Sequence, residues 1–388
     1  MRSPTIAIDA RYIRERPSGI GAMVEAIVRD VPKLMPDTSF LLLRHPLAPG
    51  SLSRAENVRE RVVPYEANGP GTLLMLPRVV DLSEVDLFHA PFNILPAGLM
   101  MRTVVTIHDT MWLTDPTLCG AAGLWGKVQS WFYRNGIRRA LEQADHLIAI
   151  SEATRRDIIA EEPGAAARCT TILHGIAPKF SPSRNESDRS EQERVRQRFA
   201  PGARRHVLVV GRAAPYKNQQ RSLLGFLRAF SNSPDIHLVV VQRLGHEGAT
   251  LTSLAREAGA EDRVHVVPPM DEQDLISLYR GALCLCQPSL KEGWGMPIGE
   301  AMACGCPVVT SNTSAMPEVG GQAALYVTPT SVLEIARALR RLARDAKLRA
   351  TLVEAGLQQA ERFTWASHTE RTARLYRQLL TVGARAAA

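Results

Sequence analysis

Two glutamates, Glu292 and Glu300, stand with seven residues between them in the segment PSLKEGWGMPIGEAMACGCPVVTSNTSAMPEVGG, residues 288–321. A carboxylate accepts hydrogen bonds from two vicinal hydroxyls, so such residues suit a polyhydroxylated ligand. Gly293 and Gly295 allow a backbone to approach that ligand closely, and Pro297 suits the first turn of a helix beginning near it. The free N–H groups of a helix start face any phosphate or sugar hydroxyl. A solvated helix face would also explain two glutamates taken alone, so their context decides.

Three further segments carry candidates. In HVLVVGRAAPYKNQQRSLLGFLRAF (206–230) a strand, a turn at Gly211 and a helix bracket Arg212 and Lys217. Fixed cations there would offset the charge that develops on a departing diphosphate, whereas basic residues near a turn are otherwise simply solvated. In RTVVTIHDTMWLTDP (102–116) a buried strand ends on His108 and Asp109. A histidine so placed is a packed residue or a ligand contact, and Asp109 suits a cap on the following turn. In ARYIRERPSGIGAMVEAIV (10–28), Gly19 and Gly21 precede a helix, where backbone amides can face a phosphate. GIGAMV also reads as a degraded dinucleotide fingerprint. Nine residues separate it from the strand end at Asp9, and no acidic residue follows at the proper strand end, which disfavours a dehydrogenase.

Positioning these residues requires a framework of strands that end beside helix starts. Apolar runs recur at 5–10, 39–44, 85–90, 102–109, 146–151 and 170–173, then at 206–211, 236–242, 263–268, 282–288, 306–311 and 324–328. They are continuous in Val, Ile and Leu rather than alternating, which suits parallel strands buried on both faces. Helical patterns such as GAMVEAIVRDVPKL and NQQRSLLGFLRAF lie between them. The alternation predicts an α/β protein of two Rossmann-like, doubly wound parallel-sheet domains facing a central cleft. Domain one is expected over 1–180 and domain two over 206–366. The polar stretch 181–205 between them reads as a linker with a short charged helix. A C-terminal helix over 367–388 could pack back on the first domain. Ligands of such sheets bind outside the carboxyl ends of the strands, so function is sought in the loops there.

Composition sets outer bounds. The 388 residues suggest two domains, and 45% hydrophobic with 22% charged residues describes an ordinary globular chain. No run approaches the roughly 18 apolar residues that span a bilayer. The strand-like TIAID at Thr5 leaves no room for a signal peptide, so a cytoplasmic protein is expected. Cys119, Cys169, Cys284, Cys286, Cys304 and Cys306 contain no C-x-x-C and read as buried reduced thiols; the alternative is a zinc ion held by the two C-x-C pairs. The net charge of +8 is uneven: residues 1–180 carry 20 Lys+Arg and 19 Asp+Glu, whereas 331–388 carry 11 and 5. The cluster from Arg337 to Arg349 is a solvated helix face or a peripheral contact with anionic lipid on the inner face of the plasma membrane. No aromatic-interleaved basic segment accompanies it, which argues against nucleic acid.

The 288–321 segment resembles the E-x7-E signature of the retaining GT-B glycosyltransferases called family four, usually EGFGLPxxEAMAxGxPVV. Here Trp294 and Met296 replace the commoner Phe and Leu. The resemblance runs from about residue 5 to residue 380 and is densest in the second half. It implies that Glu292 binds donor-sugar hydroxyls and Glu300 the ribose, with the amides of Gly295 and Met296 on sugar or phosphate. Arg212 and Lys217 resemble the family's GR-xxxx-K element and would clamp the donor diphosphate. His108 would position the donor sugar, and Pro269 and Met270 would lie beside the nucleobase. Ala22 and Met23 depart from the basic and aromatic residues that often follow the family's early GIG.

Implied, then, is a retaining hexosyltransferase using a nucleotide-diphosphate sugar, with no cofactor. No metal is expected, because two cations neutralise the diphosphate and no D-x-D element is visible. The pattern DARxx…GIG, HD, PYKN looks most like bacterial mannosyltransferases of polysaccharide biosynthesis. GDP-mannose is thus the expected donor, with UDP-glucose or another UDP-sugar the rival, and a glycan or polyprenyl-diphosphate-linked acceptor. A GT-B-like sugar-nucleotide epimerase and an inactive sugar-nucleotide-binding subunit are the alternatives. A phosphorylase would need a Schiff-base lysine motif, which is not visible.

Overall fold

The structure, a computed structural model, describes residues 2–15, 18–120, 123–242 and 246–386. The chain forms two compact units. One comprises Met1–Pro116, Ala121–Gly175 and Thr364–Ala388; the other comprises Thr117–Gly120 and Ile176–Phe363.

The first unit is built on seven strands: β1 (Thr5–Asp9), β2 (Ser39–Arg44), β3 (Val58–Val62), β4 (Leu87–Ala90), β5 (Arg102–Ile107), β6 (His146–Ala149) and β7 (Cys169–Thr171). Their order is β3-β2-β1-β4-β5-β6-β7, with every pairing parallel. All five residues of β1 are buried, as its position between β2 and β4 demands. Strand β3, VRERV, was not expected from the sequence. Its charged residues suit an edge strand, where they discourage pairing with a further chain, and they hide the apolar signal.

The second unit holds β8 (Arg205–Val210), β9 (Ile236–Val241), β10 (Val264–Val267), β11 (Cys284–Gln287), β12 (Val308–Ser311) and β13 (Ala324–Val327). The order is β10-β9-β8-β11-β12-β13, again all parallel. Its core joins Val207, Val209, Leu238, Cys284 and Val309 of the sheet to Phe226, Leu339 and Leu342 of the covering helices. In both sheets the winding direction reverses, between β1 and β4 and between β8 and β11. Such a switch point opens a crevice at the strand C-termini.

The boundary between the units differs from the sequence reading. The chain changes unit at 175/176 and returns at 363/364, so residues 181–205 lie inside the second unit rather than between the two. The stretch contains a helix, Glu186–Phe199, with Asn185 as its N-cap. It buries Val195 and is held to the helix Glu272–Gly281 by Arg198–Asp274 at 2.8 Å and Arg280–Asp188 at 3.4 Å. One apolar anchor with ion pairs suffices there, which is why the segment reads as linker. The C-terminal helix begins at Trp365, runs to Ala386 and packs in the first unit against the helix Gly19–Leu34. Tyr376 of this helix meets Nδ1 of buried His89 at 2.6 Å. All six cysteines are free thiols, five of them buried and Cys119 half-buried. Among the described residues no helix is long and apolar enough to cross a membrane.

Candidate functional site

In the second unit the switch point brings two loops together. The loop after β8 carries Arg212 and Lys217, and the loop after the adjacent β11 carries Glu292, Gly293 and Gly295. Three bonds stitch the loops. Leu290 N–H donates to the Tyr216 carbonyl at 2.7 Å, Asn218 Nδ2 donates to the Pro288 carbonyl at 2.7 Å, and Lys217 Nζ meets Glu292 Oε1 at 2.7 Å. Asn218 Nδ2 also donates to the Pro329 carbonyl after β13, at 2.7 Å. Asn218 holds φ +57°, a left-handed conformation that asparagine tolerates better than most residues.

Lys217 and Glu292 form a buried ion pair, with side chains 9% and 8% exposed. Gly211 makes the lysine's path possible: a Cβ there would lie 3.2 Å from the Lys217 Cδ and Cε. Glu292 Oε1 further accepts from Ser289 Oγ at 2.7 Å and from Gln287 Nε2 at 3.4 Å. Ser314, on the loop after β12, donates its hydroxyl to the Glu292 carbonyl at 2.6 Å. One carboxylate oxygen is thus loaded with donors from the protein, which fixes the orientation of the other.

The helix Met296–Ala303 begins immediately after this loop. Gly295, at φ +100°, turns the chain into it, and Pro297 sits in its first turn, so the helix starts one residue before Pro297. Its N-cap supplies no side-chain acceptor, Pro297 has no N–H, and Ile298 N–H donates to the Gly295 carbonyl at 2.9 Å. Glu300 lies on the same helix, where Tyr279 donates its hydroxyl to Oε2 at 3.0 Å. Burial pushes the Glu300 carboxyl up to about 7, against the help of that hydrogen bond.

Two predicted residues stand apart from this network. Arg212 is exposed at the end of β8. Met270 is half-buried on the loop after β10, at the outer edge of the same sheet.

In the first unit His108 follows β5 and is buried. Its backbone N–H donates to Asn93 Oδ1 at 2.7 Å, and its Nε2 meets the Pro91 carbonyl at 2.9 Å. A carbonyl can only accept, so Nε2 carries the hydrogen and Nδ1 offers a lone pair. Burial lowers the imidazole to about 4, so the ring is neutral near pH 7. Asp109 Oδ1 accepts from Met111 N–H at 3.0 Å, capping the next turn.

Gly19 opens the helix Gly19–Leu34, and Ser18 is its N-cap. The amide of Gly21 donates to Ser18 Oγ at 2.9 Å and so is not the free phosphate donor that the sequence suggested. Its lack of a side chain has another cause: a Cβ would lie 2.9 Å from the Tyr12 carbonyl.

Several residues around these positions were not picked out from the sequence. Asn218, Ser314 and Asn93 act through backbone contacts between loops distant in sequence, and Gln287 and Ser289 through contacts to Glu292 within the segment that follows β11. Fully buried Arg11 pairs with Asp9 at 2.6 Å and reaches the Tyr65 carbonyl and Thr72 Oγ1 at 3.0 and 2.8 Å. Arg11 and Asn218 stand in the DARxx and PYKN patterns, but the sequence assigned neither of them a contact.

Residues 190–359 match the family described as glycosyl transferases group 1, and residues 26–180 match glycosyltransferase family 4. O-antigen chain mannosyltransferase B of Escherichia coli is 29% identical over 300 residues, spanning 76% of this chain and 74% of that protein. The MMP alpha-(1->4)-mannosyltransferase of Mycolicibacterium hassiacum is 29% identical over 71% of this chain. The D-inositol 3-phosphate glycosyltransferase of Corynebacterium jeikeium is 28% identical over 64% of it. The matches cover 65% and 61% of the latter two proteins, just under two thirds of their length. Among solved structures, WaaG, a glycosyltransferase involved in lipopolysaccharide biosynthesis, has a TM-score of 0.73 at 17% identity, covering 96% of this chain and 99% of that one. Anabaena HepE in complex with UDP-glucose has a TM-score of 0.69 at 18% identity, covering 97% and 99%. These structural likenesses establish the fold.

Proposed function

The chain belongs to the GT-B glycosyltransferases assembled from a family 4 and a group 1 domain, and from that premise we propose a retaining mannosyltransferase. It transfers mannose from GDP-mannose to a glycan or polyprenyl-diphosphate-linked acceptor in polysaccharide synthesis. The observation that carries the reading is the buried Lys217–Glu292 pair at the switch point of the second sheet, beside a helix start without a side-chain cap. A cation, a carboxylate and the peptide amides at a helix start, on adjacent loops, match the three parts of a sugar diphosphate. The relatives named as mannosyltransferases support the choice of sugar.

In this mechanism the bond from the anomeric carbon to the diphosphate oxygen breaks through an oxocarbenium-like state. The acceptor oxygen bonds to the anomeric carbon on the same face, and its proton passes to the departing diphosphate. Lys217 stabilises the leaving charge, with exposed Arg212 as the second cation. Glu292 holds sugar hydroxyls through the oxygen that the protein leaves less engaged, and Glu300 holds the ribose. Neutral His108 accepts a hydrogen bond from a sugar hydroxyl at Nδ1; a ring titrating near 4 positions the sugar rather than removing a proton. The peptide amides of Gly293, Gly295 and Met296, with Pro297 shaping the turn, face the sugar or phosphate, and Met270 lies beside the base. This chemistry uses no metal.

Incubation with labelled GDP-mannose, GDP-glucose and UDP-glucose tests the reading. Transfer to acceptor or slow donor hydrolysis with GDP-mannose, unchanged by EDTA, is expected. Selective use of UDP-glucose would overturn the donor, isomer formation would make the protein an epimerase, and binding without turnover would make it a non-catalytic subunit.

A further inference from the structure

A lysine meant for a phosphate gains most when its charge is unopposed, yet Lys217 is paired. Of the charged side chains on the loops after β8 and β11, Arg212 is exposed and Lys291 half-buried, whereas Lys217 and Glu292 are both buried. Among the described residues the Lys217 ammonium has one acceptor, Glu292 Oε1 at 2.7 Å, although it carries three N–H donors. It also lies 5.3 Å from the centroid of the Tyr216 ring. Donors are thus left for a ligand, but the charge behind them is already opposed.

The pair is built to persist. Tyr216 and Asn218, on either side of the lysine, are bonded to Leu290 and Pro288 of the facing loop, each at 2.7 Å. The lysine stem lies across Gly211, and Ser289 and Gln287 hold the same carboxylate oxygen that takes the ammonium. Both loops belong to the second unit. An anion arriving at Lys217 therefore meets a fixed dipole rather than a bare cation. Repulsion from a carboxylate one side chain away is strong where little water screens it. Glu300, the other carboxylate of the segment, titrates near 7 and carries only part of a charge there.

We propose that Glu292 is a countercharge that holds down affinity for the nucleoside diphosphate product, so that the site favours the intact sugar nucleotide. The inference rests on the assignment of Lys217 to the diphosphate and Glu292 to the sugar. With the donor bound, sugar hydroxyls donate to the carboxylate, and positive charge developing at the anomeric carbon offsets it. Once the sugar has left on the acceptor, those donors are gone. The carboxylate then faces a more highly charged diphosphate, and Lys217 is shared between two anions. A lysine without its partner would do the reverse, binding the product more tightly than the donor because the free diphosphate carries more charge.

Calorimetric titration of GDP, GMP and GDP-mannose into the full-length parent, Glu292→Gln and Glu292→Asp tests it. Glu292→Gln keeps an acceptor for Lys217 and removes the charge. GDP is expected to bind this variant on the order of tenfold or more tightly than the parent. GDP-mannose should gain less or weaken, so that the preference shifts toward product, and GDP should inhibit residual turnover more strongly. Glu292→Asp keeps the charge and should bind GDP much as the parent does. Glu292→Ala, a second neutral variant with different packing, should move GDP affinity in the same direction as the glutamine variant. If the parent binds GDP more tightly than GMP but neither neutral variant tightens GDP, the proposal is overturned and the diphosphate site stands. Equal tightening in Glu292→Asp would overturn it too, because charge would not be the cause. Equal affinity of the parent for GDP and GMP would remove the diphosphate site itself, and the proposal with it.

Discussion

Lys217 and Glu292 illustrate how one pair can serve both the fold and the proposed chemistry. Removing one partner of a buried ion pair strands the other charge, at a cost of about 3–5 kcal/mol. Lys217→Ala is therefore expected to lower stability and to slow turnover by roughly 10²–10³. Adding Glu292→Ala should restore part of the lost stability in urea unfolding while leaving turnover slow. If the double variant is no more stable than the single, the pair is not coupled as described. Glu300 makes a pH prediction. Its carboxyl titrates near 7 in the fold, above its ordinary value of 4.5, so the folded state holds the proton more tightly than the unfolded chain. Stability without ligand should therefore fall as pH rises from about 4.5 through 7. Nucleotide affinity should run the other way, because only the ionised carboxylate accepts from both ribose hydroxyls. Calorimetric titration of GDP should show affinity rising with pH through about 7, and Glu300→Gln should remove that dependence. A parent profile flat across this range would contradict the ribose role.

Among the elements, the loops that end β8 and β11 matter most, and Asn218 holds them. Asn218→Ala gives up three side-chain bonds, two donated by Nδ2 and one accepted from Arg221, and places alanine at φ +57°, for an expected loss of about 2–4 kcal/mol. Asn218→Gly keeps the loss of bonds but relieves the backbone, so it should unfold at higher denaturant than the alanine variant. Equal midpoints would show that the left-handed conformation costs nothing. The inner strands of both sheets were legible as apolar runs because they are buried on two faces. Strand β3 was not, because Arg59 and Arg61 at a sheet edge satisfy no apolar pattern. Glu292, Glu300 and Lys217 were singled out by their match to the E-x7-E and GR-xxxx-K elements, and the structure brings Lys217 onto Glu292. Ser314 was not, since its contact to Glu292 depends on β11 and β12 becoming neighbours, and the contacts of Gln287 and Ser289 depend on how the loop after β11 folds back on itself. Gly21 shows the opposite error: a glycine beside a helix start suggests an anion site, whereas here the Tyr12 carbonyl requires it.

At the scale of the molecule, the chain passes from the first unit to the second after Gly175 and returns before Thr364. A Cβ on Gly175 would lie 2.3 Å from the Trp365 nitrogen, so the outgoing and returning segments are packed against each other there. The polar sequence at 181–205 gave the impression of a linker because a helix held by ion pairs and one valine lacks an apolar stripe. In the proposed function the second unit's switch point binds the diphosphate of a nucleotide sugar through Lys217. The most direct measurement compares GDP with GMP by calorimetric titration in the parent and in Lys217→Ala. GDP is expected to bind at least tenfold more tightly than GMP in the parent, with the gap closing in the variant. Equal affinity for GDP and GMP in the parent, or a gap that survives Lys217→Ala, would contradict it.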